Sequence, residues 1–119
     1  HATAMGLARL YGAVANAGEL DGVQLLGPLA IAAMNTLQTD RPDILLGVPA
    51  YWRNGLSGNV GNMYGPHPET FGHSGWGGSF GCANTQTRVG IGYTINQMGD
   101  RTIGDPRSTE LCNAIYACL

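Results

Sequence analysis

The residues best suited to chemistry lie in a glycine-rich stretch from Phe71 to Asn96. His73 and Ser74 stand side by side between Gly72 and Gly75. A histidine and a serine can exchange protons or donate hydrogen bonds, and flanking glycines let another group approach the backbone closely. The stretch therefore raises two questions: whether a serine here is a nucleophile, and what approaches these glycines.

Ser79 lies in the segment Gly77-Gly78-Ser79-Phe80-Gly81, which fits the Gly-x-Ser-x-Gly nucleophile elbow. An elbow has a strand before the serine, a helix after it, and an acid and a histidine further along the chain. Here strand-like residues follow the serine, and no histidine occurs after His73. We therefore expect the match to reflect the high glycine content, 19 of 119 residues, and not a nucleophile.

A second serine-based arrangement joins His73 to Asp100 or Asp105 and to Ser108, in the order of a chymotrypsin-like triad. Helix capping already explains Asp105 and Ser108, because an aspartate followed by proline is a typical helix start. From spacing alone, His73 is thus an exposed turn histidine whose neighbour Ser74 bonds the local backbone. A role for His73 at a substrate site is the alternative.

Cysteine and histidine spacings predict no metal site. The chain has three cysteines (Cys82, Cys112 and Cys118) and three histidines (His1, His67 and His73). The cysteines form no Cys-x-x-Cys pair, and the histidines lack the i, i+4 spacing of a helical metal pair. We expect free thiols, with one disulfide plus one thiol as the alternative, and neither a metal nor a cofactor.

Charge and hydropathy exclude several classes of protein. The net charge of −2 is spread along the chain without runs, which argues against a nucleic-acid partner. The longest apolar run, LLGPLAIAAM, is interrupted by Gly27 and Pro28 and is too short to span a bilayer. No signal peptide is recognisable, and a chain that begins with His1 reads as a piece of a longer protein or a processed product. The compartment stays open.

The first forty residues predict a helix, a small hairpin and a second helix. The first helix covers residues 4–17, the hairpin turns at Asp21-Gly22, and Pro28 opens the second helix. The expected buried residues are Leu7, Leu10, Tyr11 and Val14 in the first helix and Leu29, Ala33 and Leu37 in the second.

The remaining residues predict strands and a terminal helix within the same domain. A short strand is expected in ILLGVPAYW, and a hairpin is expected from strands at 79–83 and 88–96. In the second of these strands Gly90 and Gly92 share a face, which predicts a closely packed neighbour on that side. A helix is expected to begin at Pro106 and to bury Leu111, Ile115, Cys118 and Leu119.

The run FGHSGWGGSFGCANTQTRVGIGYTINQM resembles the C-terminal portion of the β-lactamase-related serine hydrolases, which include class C β-lactamases, esterases and LACTB-like proteases. Residues 72–78 are similar to the GHxGxGG segment of that family, and residues 93–96 to its GYxxN strand. LARLYGAVANAGELDGVQLLGP is similar to the family's helix and hairpin, so the resemblance covers nearly the whole chain. It implies an α+β fold, the C-terminal part of a β-lactamase/transpeptidase-like fold with an antiparallel sheet flanked by helices. Residues 1–119 would be a single partial domain.

The resemblance also implies roles for individual residues. His73, Ser74 and Gly75 look like the counterpart of the family's Lys-Thr-Gly motif, on the strand that borders the active site. His73 and Ser74 would donate hydrogen bonds or positive charge to the substrate, and Gly75 would let the strand approach it. The backbone amide of Trp76 would be one of two oxyanion-hole donors. Asn96 is a candidate substrate-binding residue at the cleft edge.

The sequence departs from the family pattern in two motifs. It contains no lysine, so the family's Ser-x-x-Lys motif is absent, and no tyrosine is followed two positions later by asparagine or serine. We therefore expect the nucleophile to come from the remainder of the hydrolase domain, in the same or another chain, and residues 1–119 to be inactive alone. The complete enzyme would cleave a small-molecule ester, amide or β-lactam through an acyl-serine. The alternative is a non-catalytic binding or assembly module derived from that fold.

Overall fold

The computed structural model describes residues 1–119 and contains three α-helices and six short strands. The N-terminal elements are α1 (Ala4–Ala15), β1 (Glu19–Leu20), β2 (Val23–Gln24) and α2 (Pro28–Met34). They are followed by β3 (Ser57–Gly58), β4 (Phe71–Ser74), β5 (Phe80–Asn84), β6 (Val89–Tyr93) and α3 (Pro106–Tyr116). The α+β class expected from the sequence is confirmed.

Strands β3 to β6 form an antiparallel sheet in the order β3-β4-β5-β6. The predicted hairpin is β5-β6, and its turn is stabilised by Asn84, whose side chain accepts the backbone N–H groups of Gln86 and Thr87. The N-terminal hairpin β1-β2 is also present, with Asp21 and Gly22 both at positive φ in its turn. Both hairpins were predictable because turn residues act locally.

Helix α1 packs on one face of the sheet, against the glycine side of β6. A Cβ atom on Gly92 would stand 2.4 Å from the Ala8 backbone nitrogen, so only glycine permits this approach. The buried residues of α1 are Tyr11, Ala13, Val14 and Ala15. The expectation of a closely packed neighbour at Gly90 and Gly92 is confirmed, whereas Leu10, expected to be buried, is exposed.

Helix α3 covers the other face of the sheet. Cys112 of α3 joins Phe80, Cys82 and Ile91 in a buried cluster that also includes Met63 and Tyr64. Ile115 packs against this cluster as predicted, but Leu111, Cys118 and Leu119 are exposed. The expected buried face of the helix was therefore wrong by part of a turn, because Cys112 packs against the sheet and Ser108 bonds the loop that precedes β5.

Two expectations for the middle of the chain were also wrong. Ile31 is the only buried residue of α2, and Leu29, Ala33 and Leu37 are exposed. The segment ILLGVPAYW contains no strand, since its first residues form turns around Asp43 and only isolated bridges occur nearby. The Asp43 carboxylate accepts the backbone N–H groups of Leu45 and Leu46, which competes with strand formation.

The structure contains no helix whose length and apolar character would allow it to cross a membrane.

Candidate functional site

Three of the residues expected at a substrate site line one cleft of about 340 Å³: His73, Ser74 and Trp76. His73 and Ser74 end strand β4, and Trp76 lies in the glycine-rich loop that follows it. The other lining residues are Asp43, Leu45, Leu46, Trp52, Ser57, Thr102 and Ile103. The cleft therefore combines two polar side chains at the end of a strand with apolar residues from other segments of the chain.

His73 is exposed and has a defined tautomer in this arrangement. Its Nδ1 lies 2.8 Å from the Ser74 carbonyl oxygen. Because a carbonyl oxygen only accepts, Nδ1–H is the donor, and Nε2 is the ring atom left for another partner. The ring also lies 5.9 Å from that of Trp52, centroid to centroid, at an interplanar angle of 32°.

Ser74 is half-buried and hydrogen-bonded behind the cleft wall. Its Oγ lies 3.2 Å from the Tyr64 hydroxyl oxygen, which lies 2.8 Å from Ser57 Oγ. Ser57 Oγ in turn donates to the Gly72 carbonyl oxygen at 3.2 Å. Burial raises the pKa of Tyr64 well above its ordinary value, so its hydroxyl stays protonated.

The loop from Gly75 to Ser79 is fixed by hydrogen bonds at several points. Gly75 N–H donates to the Ser79 carbonyl at 2.6 Å, and Gly77 N–H donates to the Arg101 carbonyl at 3.0 Å. Gly77 and Gly78 both have positive φ, which favours glycine. The backbone N–H of Trp76, by contrast, has no acceptor within the chain.

Residues at the start of α3 hold this loop from behind. Arg107 Nη2 donates to the Gly77 carbonyl at 3.0 Å, and Ser108 Oγ donates to the Gly78 carbonyl at 2.7 Å. Asp105 caps the helix and pairs with Arg107, whose side-chain hydrogen bonds lower the pKa of the Asp105 carboxyl. These bonds give Asp105 and Ser108 structural roles, so neither forms a triad with His73.

Ser79 does not occupy a nucleophile elbow. It precedes strand β5, with no helix after it, and its Oγ accepts the backbone N–H of Ile95 at 3.3 Å. The expectation that this motif is incidental therefore agrees with its surroundings.

The other two candidates from the sequence, Gly75 and Asn96, are exposed and lie outside the residues that line the cleft.

Asp43, another residue that lines the cleft, orders the segment around it. Its carboxylate accepts the backbone N–H groups of Leu45 and Leu46 and, at 2.8 Å, the indole N–H of Trp52. These bonds, led by the one from Leu46, lower the pKa of Asp43. Asp43 therefore stays ionised and holds Trp52 beside His73.

Sequence reasoning missed Ser57, Tyr64, Asp43 and Trp52 as parts of one site. Trp52 and Tyr64 lie in a segment rich in proline, glycine and asparagine that has no periodicity, so the sequence gives no direction for their side chains. The one local signal is Asn59, whose Oδ1 accepts the Tyr64 N–H at 2.7 Å and whose Nδ2 donates to the Gly65 and His67 carbonyls. An asparagine in a glycine-rich loop is typical of such a turn, but it does not reveal where Tyr64 points.

Comparison with known proteins extends these observations. Residues 1–111 match the Beta-lactamase family. The chain is 36% identical over 99 residues to the esterase/beta-lactamase LipL of Mycobacterium tuberculosis, an alignment that covers 82% of this chain and 22% of LipL.

Solved structures show the same fold. A penicillin-binding protein homolog from Caulobacter crescentus superposes with a TM-score of 0.95 and 44% identity, covering 99% of this chain and 32% of that protein. A family VIII carboxylesterase superposes with a TM-score of 0.92 and 46% identity, covering 96% of this chain and 31% of that one. The chain thus spans a third or less of the length of these relatives. It belongs to the Beta-lactamase family, as a portion of that family's α+β fold.

Proposed function

We propose that residues 1–119 form one side of the active site of a serine hydrolase that cleaves a small ester through a covalent acyl-serine. The nucleophilic serine would lie outside these residues, in the remainder of the same domain. Two considerations support this division: the chain lacks the lysine of a Ser-x-x-Lys motif, and the relatives are at least three times as long.

The free backbone N–H of Trp76 is the observation that carries the proposal. Trp76 is 69% exposed, so its backbone N–H needs no acceptor within the chain and is open to a bound group. Here the neighbouring amides of Gly75 and Gly77 are bonded, while that of Trp76, on the cleft wall, is left available. An amide fixed in this way can stabilise the oxyanion of a tetrahedral intermediate without reorganising, with the nucleophile's own amide as the second donor.

His73, Ser74 and Gly75 would form the wall along which the substrate lies. Since His73 Nδ1–H is bonded to the Ser74 carbonyl, Nε2 is the atom that would meet the substrate or the nucleophile's proton network. Gly75 carries no side chain, so the backbone here stays accessible to a bound acyl group.

The lining of the cleft favours neutral esters over β-lactams and peptides. Leu45, Leu46, Trp52 and Ile103 present apolar surface, and no lysine or arginine lines the cleft. Among the lining residues that this chain contributes, the only permanent charge is the Asp43 carboxylate, which would disfavour the carboxylate that β-lactams and peptide C-termini carry. Amides and β-lactams are the less favoured substrates on this basis.

A trapping experiment on the complete protein, expressed from its natural start codon, tests the proposal. The protein is incubated with p-nitrophenyl butyrate and with a chromogenic cephalosporin, and acylated peptides are located by mass spectrometry. We expect ester turnover and a butyryl adduct on a serine outside residues 1–119. The adduct should persist in Ser74→Ala and in the matched control Ser79→Ala.

An adduct on Ser74 or Ser79 would contradict the proposal that the nucleophilic serine lies outside residues 1–119. Absence of both turnover and adduct would favour the non-catalytic binding or assembly module instead.

A further inference from the structure

Three hydroxyl groups form a continuous chain behind the cleft wall. Ser57 of β3 and Tyr64, in the segment between β3 and β4, are each 1% exposed, and Ser74 is half-buried at the end of β4. The contacts run from Ser74 Oγ to the Tyr64 hydroxyl at 3.2 Å, from there to Ser57 Oγ at 2.8 Å, and from Ser57 Oγ to the Gly72 carbonyl at 3.2 Å.

Counting protons fixes the direction of this chain. Each hydroxyl has one proton to donate, and the Gly72 carbonyl can only accept. Ser57 therefore uses its proton on Gly72, so the contact between Ser57 and Tyr64 must use the proton of Tyr64. The contact between Tyr64 and Ser74 must then use the proton of Ser74. This is the one arrangement in which all three contacts are hydrogen bonds.

We infer that Tyr64 and Ser57 are positioning residues that turn the proton of Ser74 inward, so that Ser74 presents lone pairs to the cleft. This inference rests on the proposed function and assigns Ser74 a role opposite to the donor role implied by the sequence resemblance. Tyr64 does not line the cleft and acts through Ser74; Ser57 lines the cleft but is only 1% exposed, and it acts through Tyr64.

Burial makes the arrangement persistent. Tyr64 and Ser57 have no water with which to exchange partners, and leaving a buried hydroxyl unpaired is costly. Reversing the chain would leave Ser57 without a proton for Gly72. The raised pKa of Tyr64 adds to this, because the hydroxyl does not ionise near neutral pH.

The inward proton has a consequence for the class of substrate. A carboxylate beside Ser74 would meet lone pairs instead of a hydroxyl proton, which is unfavourable. A neutral acyl group, or one that carries an N–H or O–H donor, would be accepted. The hydroxyl chain thus makes Ser74 a determinant against anionic substrates, in addition to the Asp43 carboxylate, which also lines the cleft.

A matched pair of esters tests this inference in the complete protein: mono-p-nitrophenyl adipate, which carries a free carboxylate, and its methyl-capped counterpart. The measured quantity is the ratio of kcat/KM for the anionic ester to that for the neutral one. Tyr64→Phe removes the inward acceptor of the Ser74 proton. Ser57→Ala removes the acceptor of the Tyr64 proton, which then turns toward Ser74 Oγ. Both changes release the Ser74 proton to the cleft.

We expect each variant to raise the ratio about tenfold, the size of one hydrogen bond to a charged group. In a Ser74→Ala background the same two changes should leave the ratio unaltered, which a purely structural role of Tyr64 would not predict. If Tyr64→Phe fails to fold, Ser57→Ala carries the comparison. A ratio that stays at the wild-type value, or that rises equally without Ser74, would overturn the inference.

Neutron diffraction from a deuterated crystal of the complete protein gives a readout that needs no activity. We expect the deuteron of Ser74 on the line to the Tyr64 oxygen, and that of Tyr64 on the line to Ser57 Oγ. A Ser74 deuteron that points into the cleft would overturn the inference even if the esters are cleaved. Failure to cleave either ester would count against the proposed function alone, and the deuteron positions would still decide this question.

Discussion

Gly90 of β6 lies directly against Gly12 of α1: a Cβ atom on Gly90 would stand 2.2 Å from the Gly12 backbone nitrogen and 2.5 Å from its Cα. These are backbone atoms of a helix, which cannot move aside without displacing the helix. The contact therefore sets the distance between α1 and the sheet that carries the cleft wall on β4.

Alanine substitutions at Gly90 and at Gly12 are expected to change the stability of the protein by different amounts. Gly90→Ala should lower the free energy of unfolding by about 2–3 kcal/mol, because it overpacks two backbones that meet directly. Gly12→Ala is the matched control, since its Cβ would meet nothing within 4 Å and alanine favours a helix by about 1 kcal/mol. Urea denaturation of the three proteins measures both effects. Similar losses from the two substitutions would show that the close approach does not limit stability.

The proposed role of the Trp76 backbone N–H as an oxyanion donor can be tested by comparing Trp76→Pro with Trp76→Ala. Both variants lose the indole, but only proline also loses the N–H. If this amide is an oxyanion donor, Trp76→Pro should reduce kcat of the complete protein by a further factor of about 100 to 1,000 relative to Trp76→Ala. Circular dichroism checks that both variants remain folded. Equal kcat values for the two would rule out the amide as a donor.

The lowered pKa of Asp43 predicts a local structural change around Trp52 at acidic pH. Its pKa in the folded protein lies below the ordinary value of 3.8, so ionised Asp43 stabilises the fold at pH values above 3.8. That contribution is lost as the pH falls through the lowered pKa of the folded state. We expect Trp52, bonded to Asp43, to be released only below pH 3.8. This is measurable by fluorescence of residues 1–119 carrying Trp76→Phe, in which Trp52 is the one remaining tryptophan.

Asp43→Asn is the control for that transition, since the amide does not titrate there. It should remove the acid-dependent change in Trp52 fluorescence. A transition that persists in Asp43→Asn, or one centred well above the ordinary aspartate pKa, would assign it to another group.

The three thiols are expected to react at very different rates. Cys118 is exposed, whereas Cys82 and Cys112 are fully buried between the sheet and α3. Contact with Cys112 and burial raise the pKa of Cys82, which disfavours its reactive thiolate further. Labelling with a thiol reagent should modify Cys118 at least about 100-fold faster than the other two, because these need an opening that costs several kcal/mol.

Cys118→Ser provides the comparison for the labelling rates. This variant should show almost no rapid labelling in the native state and two thiols after denaturation. Rapid modification of a second cysteine in the native protein would contradict the burial of Cys82 and Cys112.

Local signals accounted for the predictable part of the fold. The Asp21-Gly22 turn, the β5-β6 hairpin and the start of α3 at Asp105 and Pro106 each depend on residues that restrict their own backbone. The glycine side of β6 also followed from alternation along the strand, since Gly90 and Gly92 must share a face. The grouping of His73, Ser74 and Trp76 was predictable for a similar reason, because they are close neighbours on one strand end.

The sequence by itself therefore determined where the elements begin and turn, and which short segment carries the polar groups of the cleft. The tertiary structure alone decided which face of α2 and α3 is buried, since each helix has more apolar residues than its contact surface can cover. It also decided that Tyr64 reaches between Ser57 and Ser74, and that Asp43 holds Trp52 beside His73. Those contacts join side chains through space, and their existence depends on how the loops close over the sheet, which no local pattern specifies.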